Sequence, residues 1–288
     1  MERDLFLRKY RIEQEDFDAA GVSWEELTAI ADHYATIEGK LREIGKDFVD
    51  KYLYDIEKRG DPFLPLPYQG TGASAGEDHP QEKMSSRRNL PKLGVDNYWK
   101  YVTDLIGIRV FFLYREDWRH FHEYITSAFE NAPEQYVKDR ERDFDNDETH
   151  CYIAERPKVY RRNGDSRIYD ENVIEIKSGR VSTVPLHYII KYRGYYVEIQ
   201  ARTLFEEGWS EVDHDIVYPY HKDDVMLRDF SRLLNRLSGM ADEMSSYFRR
   251  MKVEKEFEEV LLGEYKEDKE AKLLASMREL WGKKNDKE

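Results

Sequence analysis

Sulfur chemistry is nearly absent from this sequence. Its single cysteine, Cys151, cannot close an internal disulfide or build a thiolate metal cage. No motif surrounds it, and a small buried hydrophobe is its expected role. Long apolar runs are missing too. No uncharged stretch approaches a membrane span, and the N-terminus, MERDLFLRKYRIEQED, lacks the apolar core of a secretory signal. These absences lead us to expect a cytoplasmic protein. Positive charge is in deficit: 46 Lys and Arg against 59 Asp and Glu leave a net charge of −13. Duplex binding is mainly phosphate neutralisation by cations, so a broad nucleic-acid surface is disfavoured, although a local basic pocket is not. What remains is 288 residues, 36% of them charged, enough for one large domain with helical additions.

Three stretches organise the chain. Residues 1–58 read as an N-terminal helical segment. Ser23 precedes Glu26 in a capping-box pattern, and Trp24, Leu27, Ile30, Tyr34, Ile37, Leu41, Ile44 and Phe48 recur at helical steps. Residues 59–224 read as the core. It opens with a proline- and glycine-rich loop over 60–96, in which Gly70, Gly72 and Gly76 match no nucleotide fingerprint. Lys83, Arg87, Arg88 and Lys92 follow, a basic cluster that suits either phosphate contact or a solvated helix face. Leu105–Tyr114 reads as a buried strand with Arg109 its only charge, and such an Arg needs an anionic partner: Asp104 at the strand's mouth, a structural acid elsewhere, or a ligand phosphate. Residues 119–138 look helical. Asp143, Asp145 and Asp147 begin a calcium-loop pattern that Glu148 and Ala154 break. CYIAE and VIEIK are strand candidates, with RPKVYRRNGDSR between them as a basic loop. Residues 225–288 read as C-terminal helices and a charged tail. Leu227, Phe230, Leu233, Leu234, Leu237, Met240, Met244 and Phe248 share one stripe there, expected to pack on the N-terminal helices or on another subunit.

The most informative stretch is LHYIIKYRGYYVEIQARTLFEEGWSEVDH, 186–214. Arg193-Gly194 between two runs rich in Tyr, Ile and Val predicts a two-residue hairpin turn. Register follows, pairing Tyr192 with Tyr195, Lys191 with Tyr196, Ile189 with Glu198 and His187 with Gln200. One face then collects Tyr188, Ile190, Val197, Ile199 and Ala201. The other collects His187, Lys191, Glu198, Gln200 and Arg202, which reads as the wall of a polar site. FEEGWSEVDH after it predicts a helix.

Asp104-Leu-Ile-Gly-Ile-Arg109 and Val197-Glu-Ile-Gln-Ala-Arg-Thr203, with Trp209 and Asp213-His214 following, resemble the synthetase domain of the RelA/SpoT family over roughly residues 60–250. The resemblance implies an α+β fold, a mixed β-sheet flanked by helices and related to nucleotidyltransferases, of the small stand-alone type. It implies transfer of the β,γ-pyrophosphate of ATP to the 3′-hydroxyl of GDP or GTP, making the alarmones ppGpp and pppGpp, with Mg2+ as cofactor. On this resemblance Asp104 is the metal-binding aspartate, and Glu198 is the carboxylate that binds the metal or acts as base. Arg109, Gln200 and Arg202 are their catalytic support. His187 closes the guanine-binding segment, and Lys83, Arg87, Arg88, Lys177, Arg180 and Lys191 are the expected nucleotide-binding cations.

Two departures from the family pattern stand out. Thr183 occupies the position of the stacking tyrosine and Pro185 that of a serine, so Tyr188 or Tyr169 would have to take the base. The family's Arg-x-Lys before the ATP site is replaced by GTGASAGEDHPQEK. Two further readings therefore stay open. A toxin-type transfer to the 3′ end of tRNA would use the Arg161–Arg167 and Lys177–Arg180 clusters, and a catalytically degenerate nucleotide-binding module would have lost turnover. By analogy with small synthetases, the C-terminal helices are a plausible site of homo-oligomer formation.

Overall fold

The computed structural model describes residues 3–9, 12, 14–19, 21–53, 66–68, 93–134, 150–161, 168–178, 184–217, 221 and 224–285. It divides into two compact units, Met1–Asp242 and Glu243–Glu288. The first holds an α+β fold whose centre is an eight-stranded mixed sheet.

The hairpin is the sheet's spine. β7 (Val184–Tyr192) and β8 (Tyr195–Thr203) pair antiparallel in the expected register, His187 opposite Gln200, Ile189 opposite Glu198 and Tyr192 opposite Tyr195. Both turn residues are left-handed, Arg193 at φ 47° and Gly194 at φ 81°, as a turn that must match the strands' own twist requires. β2 (Ile106–Phe112) runs parallel to β8, placing Gly107 beside Glu198, Arg109 beside Gln200 and Phe111 beside Arg202. β1 (Leu66–Tyr68) closes that edge antiparallel to β2. On the other side β7 pairs with β4 (Tyr152–Ile153), which pairs with β3 (Glu130–Asn131). β7 also pairs with β5 (Lys158–Arg161), which is joined by β6 (Glu175–Ser178). β5 lies in the stretch expected to be a basic loop. Its charges hid it, because sheet pairing with β7 and β6 supplies what its short, polar sequence lacks.

Helices cover one face. α1 (Arg3–Lys9) and α2 (Gln14–Ala19) precede α3 (Trp24–Phe48), whose capping box joins Ser23 and Glu26 as expected and which ends in a π-helical turn over Val49–Leu53. α3 buries Leu41, Ile44 and Phe48. Gly45 permits the close approach: a Cβ there would stand 3.0 Å from Ile106 Cγ2. α4 (Tyr98–Tyr101) leads towards β2, and α5 (Trp118–Ala128) buries Phe121 and Ile125. Between these helices and the sheet lies the main core, which takes the predicted inner face of the hairpin, Tyr188, Ile190, Val197, Ile199 and Ala201. Burial of such side chains contributes about 1.5 to 3 kcal/mol each.

α6 (Leu204–Ile216) starts directly from β8, capped by Thr203 and Glu206 in a second capping box. α7 (Val225–Asn285) follows. Most of the apolar stripe expected to pack is exposed in the single chain. The face of α7 that is buried carries Ser231, Asn235, Ser238 and Asp242, while Phe230, Leu233, Leu237, Met240, Met244 and Phe248 stand exposed. Trp209 explains the anchoring: its indole N–H donates to Ser231 O at 3.0 Å, and the Ser231 hydroxyl donates to Asp213. No described helix is long and apolar enough to cross a membrane.

Candidate functional site

The face of the sheet opposite the main core carries a continuous polar chain. His187 Nδ1 stands 3.0 Å from Glu198 Oε1. Gln200 Nε2 donates to Glu198 Oε2 at 2.9 Å, and Arg202 donates to Gln200 Oε1 at 2.5 Å. Strand alternation explains it: residues 198, 200 and 202 project to one side of β8, and His187 joins them through the register of β7. A carboxylate accepts only, so the His187 proton sits on Nδ1. Its Nε2 is buried with no hydrogen-bond partner among the described residues.

Glu198 is 7% exposed. Its β2 neighbour is Gly107, and among the described residues nothing lies within 4 Å of where a Cβ on Gly107 would stand. Asp104 lies three residues before Gly107, in the turn that enters β2, and is partly exposed. Among the described residues no group of three or more His, Cys, Asp and Glu side chains gathers to hold a metal ion.

Arg109 finds its anions on α6, a partner the sequence left open. Its guanidinium donates to Glu207 at 2.8 Å and to Glu211 at 2.5 Å, two acids one helical turn apart. Arg109 is 36% exposed rather than buried. Glu207 also pairs with Arg202 Nε at 3.1 Å. Burial lowers the Arg202 pKa from its ordinary value, and the charge of Glu207 opposes that shift. Glu207 and Glu211 thus tie α6 to both strands. In the sequence their one signal is the four-residue spacing of acids just after the polar strand.

The face is not polar throughout. Lys191 is buried, its ammonium 5.8 Å from the centroid of Tyr152, and a small apolar cluster of Tyr152, Ala154, Ile189 and Tyr196 adjoins it. The hairpin register already implied Ile189 and Tyr196 on this side. Lys177 sits on β6, separated from β7 by β5, and stands 3.5 Å from Glu175. Lys83, Arg87, Arg88, Arg180 and Thr183 lie outside the described residues, as do Gly70, Gly72 and Gly76. Tyr188 is excluded as a stacking platform. It lies in the core, fully buried, with its hydroxyl 3.0 Å from His122 Nδ1. Tyr169 packs on Trp118, ring centroids 5.2 Å apart.

On one face of the mixed sheet an imidazole, a carboxylate, an amide and a guanidinium thus stand in one hydrogen-bonded row. The family model for the region found in RelA / SpoT proteins matches residues 79–223, half of the chain, and the chain belongs to that family. Similar solved structures include a GTP pyrophosphokinase family protein from Streptococcus pneumoniae, 17% identical, covering 80% of this chain and 95% of that one with a TM-score of 0.43. Small alarmone synthetase 1 from Bacillus subtilis bound to AMPCPP is 16% identical, covering 80% and 98% with a TM-score of 0.37. Small alarmone synthetase 2 from the same organism is 15% identical, covering 74% and 97% with a TM-score of 0.39. No curated protein matches the chain.

Proposed function

We propose that this chain is a cytoplasmic, magnesium-dependent pyrophosphotransferase that moves the β,γ-pyrophosphate of ATP to the 3′-hydroxyl of GDP or GTP. The observation that carries the reading is the buried Glu198 carboxylate, held by His187 and Gln200 on the polar face of the sheet, with Gly107 as its neighbour on β2. Family membership over residues 79–223 supports the same reading.

In the transfer, the acceptor's 3′ oxygen forms a bond to the β-phosphorus of ATP. The bond from that phosphorus to the α,β-bridging oxygen breaks, and AMP leaves with that oxygen. The hydroxyl proton goes to the Glu198 carboxylate. Hydrogen bonds from His187 and Gln200 hold that group's orientation, which is where a base must be preorganised. The donor set suits a hard cation: Asp104 and Glu198 are oxygen ligands, and magnesium ordinarily takes one or two carboxylates and completes its shell with phosphate and water. Asp104 and Glu198 would hold it, and when bound it screens the triphosphate charge. His187 Nε2 offers the guanine nucleotide a polar contact, and Lys83, Arg87, Arg88, Lys177, Arg180 and Lys191 are the cations assigned to phosphate binding. Arg109 and Arg202 are assigned to support, through Glu207 and Gln200.

The test is transfer of label from γ-labelled ATP with magnesium to GDP, GTP, ATP or tRNA, each supplied alone. Label on GDP or GTP is expected. Label on tRNA alone moves the protein to the toxin-type reaction, and nucleotide binding without transfer makes it a binding module. Asp104→Asn and Glu198→Gln should each abolish transfer in a protein that remains folded by circular dichroism. Normal rates in either variant refute the metal assignment.

A further inference from the structure

α6 reaches the polar face of the sheet through Glu207. The start of the helix is fixed by β8: Thr203, the last residue of the strand, caps it together with Glu206, which places Glu207 in the first turn. Its carboxylate is shared between two strands. Oε1 accepts from Arg109 Nη1 at 2.8 Å, and Oε2 stands 3.1 Å from Arg202 Nε. Glu211, one turn later, also holds Arg109, at 2.5 Å. Burial disfavours the charge on Arg202. Glu207 opposes that most strongly, ahead of Glu206 and Glu211, whereas Arg109 adds to it. A guanidinium taken out of water is stable only with a counter-charge beside it, and for Arg202 that charge is chiefly Glu207.

What Arg202 does next follows from its donor chemistry. A guanidinium donates only, so the end of the Gln200 amide that meets it at 2.5 Å has to be the carbonyl oxygen. The two ends of an amide are opposite in character. Its NH2 group is therefore turned to Glu198, where it donates to Oε2 at 2.9 Å, while Oε1 of the same carboxylate faces His187 Nδ1 at 3.0 Å. Turned over, Gln200 would present its carbonyl to the carboxylate and its NH2 to the guanidinium, like against like at both contacts. The direction of this amide thus depends on Arg202 being held in place. With Glu207 neutral, the buried guanidinium is drawn towards water or another acid, the amide is released, and Glu198 loses the donor at Oε2.

We propose that Glu207 is a positioning residue: through Arg202 it sets the direction of the Gln200 amide, and thereby the orientation in which Glu198 receives the acceptor's proton. The role in transfer rests on the pyrophosphotransferase reading. The relay from Glu207 to Gln200 does not.

Steady-state transfer and the side-chain amide signal of Gln200 test it together, on the full chain and well below the melting temperature of each variant. Glu207→Gln should lower kcat roughly tenfold or more and leave KM for ATP and GTP within about twofold, because Glu198 is misaligned while Glu211 still holds Arg109. Arg202→Gln should lower kcat by a similar factor. The double variant, Glu207→Gln with Arg202→Gln, removes both charges of the pair and so leaves no buried charge unpaired. It should be no slower than Arg202→Gln alone, whereas independent structural losses would multiply. In proton–nitrogen correlation spectra the Gln200 amide pair, assigned by its absence in Gln200→Met, should move in Glu207→Gln and stay in place in Glu211→Gln. A double variant slower than Arg202→Gln, a loss that falls on KM rather than kcat, or an amide signal unmoved by Glu207→Gln overturns the proposal. If the wild type transfers no label, the pyrophosphotransferase reading fails, and the amide signal alone decides the relay.

Discussion

The residue that ties the candidate site together is one that carries no chemistry of its own. Glu207 accepts from Arg109 and pairs with Arg202, and Arg202 is almost wholly buried. Removing its charge leaves a buried guanidinium with its amide partner alone. Glu207→Gln should therefore lower stability by about 2 to 3 kcal/mol, read as a shift in the denaturant midpoint. Glu211 is 55% exposed and pairs with Arg109, which Glu207 also holds, so Glu211→Gln should cost less than about 1 kcal/mol. Equal losses in the two variants would contradict this division of labour. His122 makes a separate prediction. Burial lowers its pKa from the ordinary 6.5, so its contribution to stability is complete above that value. As pH falls below 6.5 the unfolded chain takes up the proton first, and stability declines until the folded pKa is passed. His122→Gln should flatten that acid limb in urea titrations at several pH values, and an unchanged slope would dissociate His122 from it.

Elements were unevenly legible. The hairpin could be read to the residue, because Arg-Gly demands a left-handed turn and a period of two then distributes every side chain. Gly194 is the test of that logic: at φ 81° an alanine is strained, and Gly194→Ala should destabilise by about 1 to 2 kcal/mol in thermal or chemical unfolding. A neutral result would mean the turn relaxes to another type. The capping boxes at Ser23 and Thr203 show the same local determinism. β5 was missed because four residues with two cations carry no strand pattern, and it exists by pairing with its neighbours. Within the candidate site, His187, Glu198, Gln200 and Arg202 were placed together from sequence. Glu207 and Glu211 were not, since nothing local connects them to Arg109, 98 and 102 residues earlier.

For the molecule as a whole, a nucleotide that binds the folded chain should stabilise it by mass action, so the melting temperature should rise with added ATP and magnesium, and a melting temperature unchanged by saturating ATP would contradict the proposed binding. Pattern and turn chemistry determined by themselves the hairpin, its register, the polar row on one face and the family to which the chain belongs, because each depends on residues close in sequence. Tertiary structure alone decided that Arg109 is neutralised by α6, that Tyr188 is sealed in the core, and that the apolar stripe of α7 points outwards. Periodicity defines a face on a strand or helix, but only the packing of distant segments, with Trp209 bonded to Ser231, selects which face is turned inwards.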